Sequence, residues 1–280
     1  MAAGIYVSRQ FPVSSSYDSL IHKYLNMRAR NIQFSNRRKI SKTINTWINK
    51  KTRRNISIPI ERPSDKYAFL MPNFLHIEAD FLYPFSSVNL RGTFLNNGIS
   101  RRRITTMRNP LMRLKYKMIP ELEAEVIEMP FSKSAISMMI FLPRNPKGLS
   151  QLQRRLKKFN TLGLHRHLKF HYIDLSLPTL NQIYTHHLED YLIFHRLHSI
   201  FEVGTFSKIA RNGSKIYING LSQTVSFKMD EEGIAPVSNL LKRTKPNKDG
   251  VLTLKVNHPF AFYIQDNKII YIKGNIHKIN

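Results

Sequence analysis

Apolar residues recur along this chain at two spacings, and the spacing changes mark its elements. Tyr17, Leu20, Ile21, Tyr24 and Leu25 fall on one stripe at three-to-four spacing, which predicts a helix capped by Ser14–Ser16. Ile40, Ile44, Trp47 and Ile48 predict a second helix that breaks near Arg54-Asn55. Leu149, Leu152 and Leu156 form a third stripe, and His186–His198 reads as a fourth helix with Leu188, Tyr191 and Leu192 turned inward. Shorter apolar runs read as strands: Ile5-Tyr6-Val7, Tyr67–Ile77, Ala124–Met129, Ser137–Leu142 and Ile173–Leu177. Pro72 interrupts the second of these, which predicts a sheet edge or a bulge because proline donates no ladder hydrogen bond. Lys215–Leu221, Thr224–Met229, Leu252–Val256, Ala261–Ile264 and Ile269–Lys273 are further strand candidates. Helices early and strands late, with no repeat or low-complexity linker between them, predict an α+β fold in one domain over residues 1–280.

Charge changes this picture more than size does. The chain has 280 residues, 42% of them hydrophobic, with 17 Phe and 12 Tyr, enough for a substantial core and too apolar for a disordered chain. Its 44 Lys and Arg against 18 Asp and Glu give a formal charge of +26. Such a surface attracts polyanions: heparin-like glycosaminoglycans, nucleic acid or anionic membranes. Basic runs stand at Arg37–Lys39, Lys50-Lys51-Thr52-Arg53-Arg54, Arg101–Arg103 and Arg154-Arg155 with Lys157-Lys158. Few aromatics interleave within them, so glycan or unspecific polyanion binding through Lys50, Lys51, Arg53, Arg54, Arg154, Arg155, Lys157 and Lys158 is expected before specific nucleic-acid binding. The absence of cysteine excludes disulfides and thiolate metal sites. The longest apolar run, around Ile136–Leu142, is too short to span a bilayer, and residues 1–25 contain no signal-peptide pattern.

Chemistry-bearing motifs are sparse. His195 and His198 have a spacing that suits a metal on a helix, but without a carboxylate or thiolate nearby they read as surface histidines. No nucleophile elbow, phosphate loop or zinc-hydrolase helix is present, so the expectation is no enzyme, no cofactor and no metal. Asn55 and Asn212 open glycosylation sequons, usable only on a secretory route.

A series of short motifs carries a family resemblance. Thr43–Ile48 with Thr52 and Ile56, Asn73-Phe74-Leu75-His76-Ile77 ending at Pro84-Phe85, and Glu128-Met129-Pro130-Phe131 follow in order. Ser137–Pro143, Asp174–Pro178, the acidic turn Asp230-Glu231-Glu232-Gly233 and Asn257-His258-Pro259-Phe260 complete the series. In order and spacing the chain resembles the serpins, the serine protease inhibitor superfamily. The resemblance implies a large central mixed β-sheet with two smaller sheets and surrounding helices, and an N-terminally shortened domain without the family's first helices. It also implies a secreted, monomeric inhibitor acting on a serine protease through an exposed reactive loop at about residues 234–251. A sheet without its covering helix is expected to expose an apolar face and to aggregate.

Within that resemblance the hinge departs from the inhibitory pattern. Glu231, Glu232 and Gly233 lead into Ile234, Ala235 and Pro236, where small residues are expected. A cleaved serpin loop inserts as a strand into the central sheet. Pro236 lacks the N–H that a new ladder needs, and Ile234 puts a branched side chain where a small hydroxyl normally enters. The resemblance therefore implies weak or lost inhibition. Family spacing counted forward places the scissile bond at Asn247-Lys248, and counted backward at Lys245-Pro246. Lys242, Arg243 and Lys245 suit a trypsin-like protease, as inhibitor target or as cleaving enzyme. Asn73 and Gln223 occupy the places of an Asn–His pair that pins the sheet, and Phe81 stands for a tryptophan. The alternative reading is a non-inhibitory serpin that binds polyanions through its basic helices.

Overall fold

The computed structural model describes residues 2–52, 69–77, 81–85, 87–202, 206–211, 216–218, 220–229 and 250–279. Among these the strands are β1 (Ala2–Ala3), β2 (Ile5–Ser8), β3 (Ala29–Ile32), β4 (Phe69–Ile77), β5 (Ser87–Asn96), β6 (Ser100–Ile119) and β7 (Ala124–Pro130). They continue with β8 (Ser137–Pro143), β9 (Lys169–Pro178), β10 (Leu180–His187), β11 (Gly220–Met229), β12 (Leu252–Lys255), β13 (Phe260–Gln265) and β14 (Ile270–Ile276). The α-helices are α1 (Ser15–Leu25), α2 (Arg37–Thr52), α3 (Leu149–Leu156) and α4 (Glu189–Phe194). Contacts divide the chain into two units, Met1–Ile77 with Gln182–Phe227 and Glu78–Asn181 with Lys228–Asn280.

The first unit is built on a six-stranded mixed sheet in the order β10-β11-β4-β2-β3, with β1 also on β4. All four residues of β2 are buried because both of its faces are packed. Tyr6 meets Ile40, Ile44, Trp47 and Ile48 of α2, whereas Ile5 and Val7 share a core with Ile21 of α1 and with Ile209 and Ile216. Ile5, Tyr6 and Val7 are therefore covered from two sides, and apolar exposure sits elsewhere: Ile183 and Tyr184 on β10, and Leu20, Tyr24 and Leu25 on α1. Those three α1 residues share the predicted stripe, yet only Ile21 of that helix is buried.

Pro72 lies in an interior strand and not at an edge, since β4 has β11 on one side and β1 and β2 on the other. The register Ala3↔Asn73 and Tyr6↔Leu70 puts Gly4 opposite Pro72. Gly4 donates its N–H to the Pro72 carbonyl at 3.0 Å, but Pro72 has no N–H to return. The half-made pair separates β1 from β2.

Two further expectations change here. Of the expected strand Lys215–Leu221, the described residues 216–218 lie outside any strand, and Gly220 and Leu221 join Thr224–Met229 in one strand, β11, from Gly220 to Met229. The helix expected over His186–His198 shrinks to α4, because β10 extends to His187 and Arg196 takes a left-handed φ of 63°. Leu188 and Leu192 pack inward as expected, but Tyr191 is exposed, and His195 and His198 do not share a helix.

The second unit carries an eight-stranded sheet, β12-β9-β6-β7-β8-β13-β14 with β5 also on β6. β6 is 20 residues long and joins two blocks. β5 pairs with Ser100–Arg108 and β7 with Lys115–Ile119, while β9 runs along Thr106–Tyr116. β6 thus belongs to both blocks of this one sheet. The β5–β6 hairpin turns on Asn97 and Gly98, both at positive φ (54° and 73°). Pro110 sits in the irregular stretch of β6 between Asn109 and Met112, where Asn109 Nδ2 donates to the Pro84 carbonyl at 2.6 Å. β8 and β13 are buried at every position, which explains their unbroken apolar runs. Leu149, Leu152 and Leu156 of α3 close one face over Val126, Phe141 and Ala261.

Candidate functional site

The predicted hinge (Glu231, Glu232, Gly233, Ile234, Ala235, Pro236) and bait (Lys242, Arg243, Lys245, Asn247, Lys248) lie outside the described residues, as do Arg53, Arg54, Asn55 and Asn212. The strands on either side of that loop are described. β11, which precedes it, is parallel to β4 in unbroken register from Gly220↔Leu70 to Phe227↔Ile77. Asn73 and Gln223 are direct cross-strand partners in this ladder, both half-buried. Thr224, the next residue of β11, meets Thr185 of β10 hydroxyl to hydroxyl at 3.0 Å. Glu189 accepts the Leu221 N–H at 2.7 Å, which ties the start of α4 to the same strand.

After the loop, β12 runs parallel to β9, Leu252↔Ile173 to Lys255↔Ser176. His258 follows and is buried. Its Nε2 lies 2.8 Å from the Pro143 carbonyl, so this nitrogen carries the hydrogen and donates. Asn257 Oδ1 is 3.0 Å from Nδ1, and the Asn257 carbonyl accepts the Leu95 N–H at 2.8 Å. The Asn-His-Pro segment is thereby locked between β5 and β8 before β13 begins. Phe81 stacks on Phe131 with centroids 5.2 Å apart and meets Phe85 edge-on, so a phenyl cluster fills the place expected of an indole.

The basic residues separate into those with and without carboxylate partners. Lys50 and Lys51 are exposed at the end of α2 in the first unit. In the second unit Arg154, Lys157 and Lys158 are exposed, but Arg155 donates to Glu123 at 2.6 Å, and its guanidinium holds that carboxyl below the usual range. Arg101–Arg103 are exposed on β6, a strand that the apolar pattern does not reveal. Among the described residues no group of three or more His, Asp or Glu could hold a metal, and no helix is long and apolar enough to cross a membrane.

The profile of the Serpin family, serine protease inhibitors, matches residues 1–278. The chain belongs to the serpins. It is 25% identical to Serine protease inhibitor 42Dd of Drosophila melanogaster, over 99% of this chain and 74% of that protein. Identity to Iripin-5 of Ixodes ricinus is 26%, over 80% of this chain and 58% of the relative. Intracellular coagulation inhibitor 1 of Tachypleus tridentatus is 21% identical over 99% of this chain and 68% of its own length. A serpin structure from the trematode Schistosoma haematobium matches 99% of this serpin chain and 73% of its own, with a TM-score of 0.81 at 19% identity. Serpin48 of Tenebrio molitor gives a TM-score of 0.78 at 21% identity, over 100% and 75%. The α+β serpin-like fold is therefore shown, and one of these relatives is named as a serine protease inhibitor.

Proposed function

We propose that this serpin presents residues 234–251 to a trypsin-like serine protease and is cut there as a substrate more often than it traps the enzyme. The observation that carries the reading is the ladder between β4 and β11. A loop strand that follows β11 and reverses direction must add beside it. Entry on the β4 side has to part eight register pairs, from Gly220↔Leu70 to Phe227↔Ile77, and replace them with two new ladders. Each ladder hydrogen bond contributes about 1 kcal/mol net, so insertion proceeds only when almost every new donor finds an acceptor. Pro236 offers none, and Ile234 must bury a branched side chain at the point of entry. Slow insertion gives the acyl-enzyme time to hydrolyse. Residence outside the cell belongs to the same proposal; one relative carries the word intracellular in its name, so the family accommodates either compartment.

Incubation of the full-length protein with trypsin tests the reading on a denaturing gel. A fragment cut near Lys242–Lys248 without an SDS-stable complex is the expected result, and a near-equimolar covalent complex overturns it. Ile234→Thr with Pro236→Ala should convert part of the cleaved band into complex.

Polyanion binding through the basic runs is a second reading, favoured by the exposure of Lys50, Lys51, Arg154, Lys157 and Lys158. Replacing the Lys50–Arg54 cations by serine should weaken retention on heparin more than removing four scattered lysines. Equal losses mean diffuse charge and no site.

A further inference from the structure

The solvent-facing stretch where β6 pairs with β9 combines cations with exposed aromatic rings, an arrangement that the linear sequence hides. The register sets Arg113 beside Tyr172 and Lys115 beside Phe170. Phe170 is 53% exposed and Tyr172 51%, although both stand in a strand whose alternate residues Ile173, Leu175 and Leu177 are fully buried. The Arg113 guanidinium lies 4.4 Å from the Phe170 ring centroid and Lys115 Nζ 5.7 Å. Lys117, two residues further along β6, is exposed. Lys115 also donates to the His165 carbonyl at 3.3 Å, so the segment after α3 borders the platform.

The carboxylates nearby are already engaged. Asp174 accepts from Arg108 Nε at 2.7 Å, and Glu128 faces Lys115 at 3.4 Å. Among the described residues that leaves Arg113 and Lys117 as cations without a carboxylate partner beside two half-exposed rings, in a chain of charge +26. Charge alone would suit any polyanion. Two aromatic rings held out to solvent by a rigid sheet suit a polyanion that also has flat apolar faces. Residues two apart in a strand are about 6.7 Å apart, roughly twice the 3.4 Å step of stacked bases, so each ring can take its own base. A duplex keeps its bases inside the stack and cannot use such rings, and a sulfated glycan offers charge without a planar base.

We infer that the face formed by Phe170, Tyr172, Arg113 and Lys117 binds single-stranded nucleic acid without sequence preference. The bases stack on the rings and the phosphates meet the cations. This inference is independent of the reactive loop.

The probe is fluorescein-labelled oligo(dT) of about fifteen nucleotides, followed by anisotropy with the full-length protein at low salt. Expected results are saturable binding that weakens steeply with salt and exceeds binding of a duplex of equal length. Stacking contributes about 1–3 kcal/mol per base, so Phe170→Ala or Tyr172→Ala should each weaken binding roughly 5- to 150-fold. Tyr172→Phe should keep nearly all the affinity, and this variant also separates loss of a ring from loss of folding. Arg113→Ser should lower the salt slope by about one. The inference fails if the wild type does not bind at low salt or if the alanine variants, shown folded by circular dichroism, bind as tightly as wild type. It fails equally if a heparin oligosaccharide loses as much affinity as oligo(dT) on Tyr172→Ala, because the site would then be a glycan site.

Discussion

Replacing Tyr6 by phenylalanine should stabilise the first unit, and the gain should grow with pH. Tyr6 is 1% exposed, and its hydroxyl finds no hydrogen-bond partner among the described residues. A buried polar group left unpaired costs about 1–3 kcal/mol, which Tyr6→Phe removes while keeping the ring. The loss of one oxygen from a packed site returns part of that, so a gain of about 1 kcal/mol is expected at neutral pH. Burial also disfavours the phenolate and pushes the pKa from 10.0 up to about 12, against the smaller opposing field of Arg30. The folded value lies above the unfolded one, so this contribution is fully present below pH 10 and is lost as pH rises toward 12. At 1.36 kcal/mol per pH unit the loss is on the order of 3 kcal/mol. Trp47 is the only tryptophan, and its ring meets Tyr6 edge-on at 6.2 Å, so its fluorescence reports unfolding of this core. Urea titrations of both proteins at pH 8 and pH 11.5 measure the effect. A Tyr6→Phe variant less stable at pH 8, or one losing as much stability as wild type between the two pH values, refutes the reasoning.

Gly274→Ala should destabilise the second unit by about 1–3 kcal/mol, because the added methyl overlaps the ring of Phe262, its buried cross-strand partner. Phe262→Leu in the same chain should recover part of the loss, as read from the urea midpoints of the four-member cycle. Asp18 receives hydrogen bonds from Arg28 at 2.7 Å and from the Ala29 N–H at 3.0 Å, chiefly the first of which holds its carboxyl below the ordinary range. Its contribution is present above the unfolded carboxylate pKa of about 3.9 and is lost as pH falls through the lower folded value. Asp18→Asn should therefore flatten the acid limb of the stability curve, and an unchanged limb speaks against the pairing.

Legibility in the sequence followed periodicity and failed where a second partner decided burial. The stripe Ile40, Ile44, Trp47 and Ile48 was readable because one face of α2 meets one core. Leu20, Tyr24 and Leu25 carry the same spacing in α1 but stay exposed, since apolar spacing records the face and not whether something covers it. The β5–β6 hairpin was missed although Asn97-Gly98 is a strong turn signal, because the flanking arginines read as a charged run and not as a strand. Ser222 and Gln223 interrupt the apolar pattern of the single long β11, where Gln223 stands opposite the polar Asn73 of the neighbouring strand.

The same limitation governs the candidate sites. A motif contiguous in the chain, such as Asn257-His258-Pro259, survives intact, and its packing gives it a physical reason: a buried imidazole donating to the Pro143 carbonyl and an asparagine carbonyl holding β5. A site assembled across strands leaves no linear trace. Arg113 and Phe170 are 57 positions apart, yet cation and ring come within 4.4 Å because one strand passes the other in antiparallel register. The basic runs that stand out in the sequence are conspicuous only because they are contiguous, and one member, Arg155, is already paired with Glu123. Contiguity along the chain therefore says little about which cations and rings stand together, and the register of β6 with β9 says more.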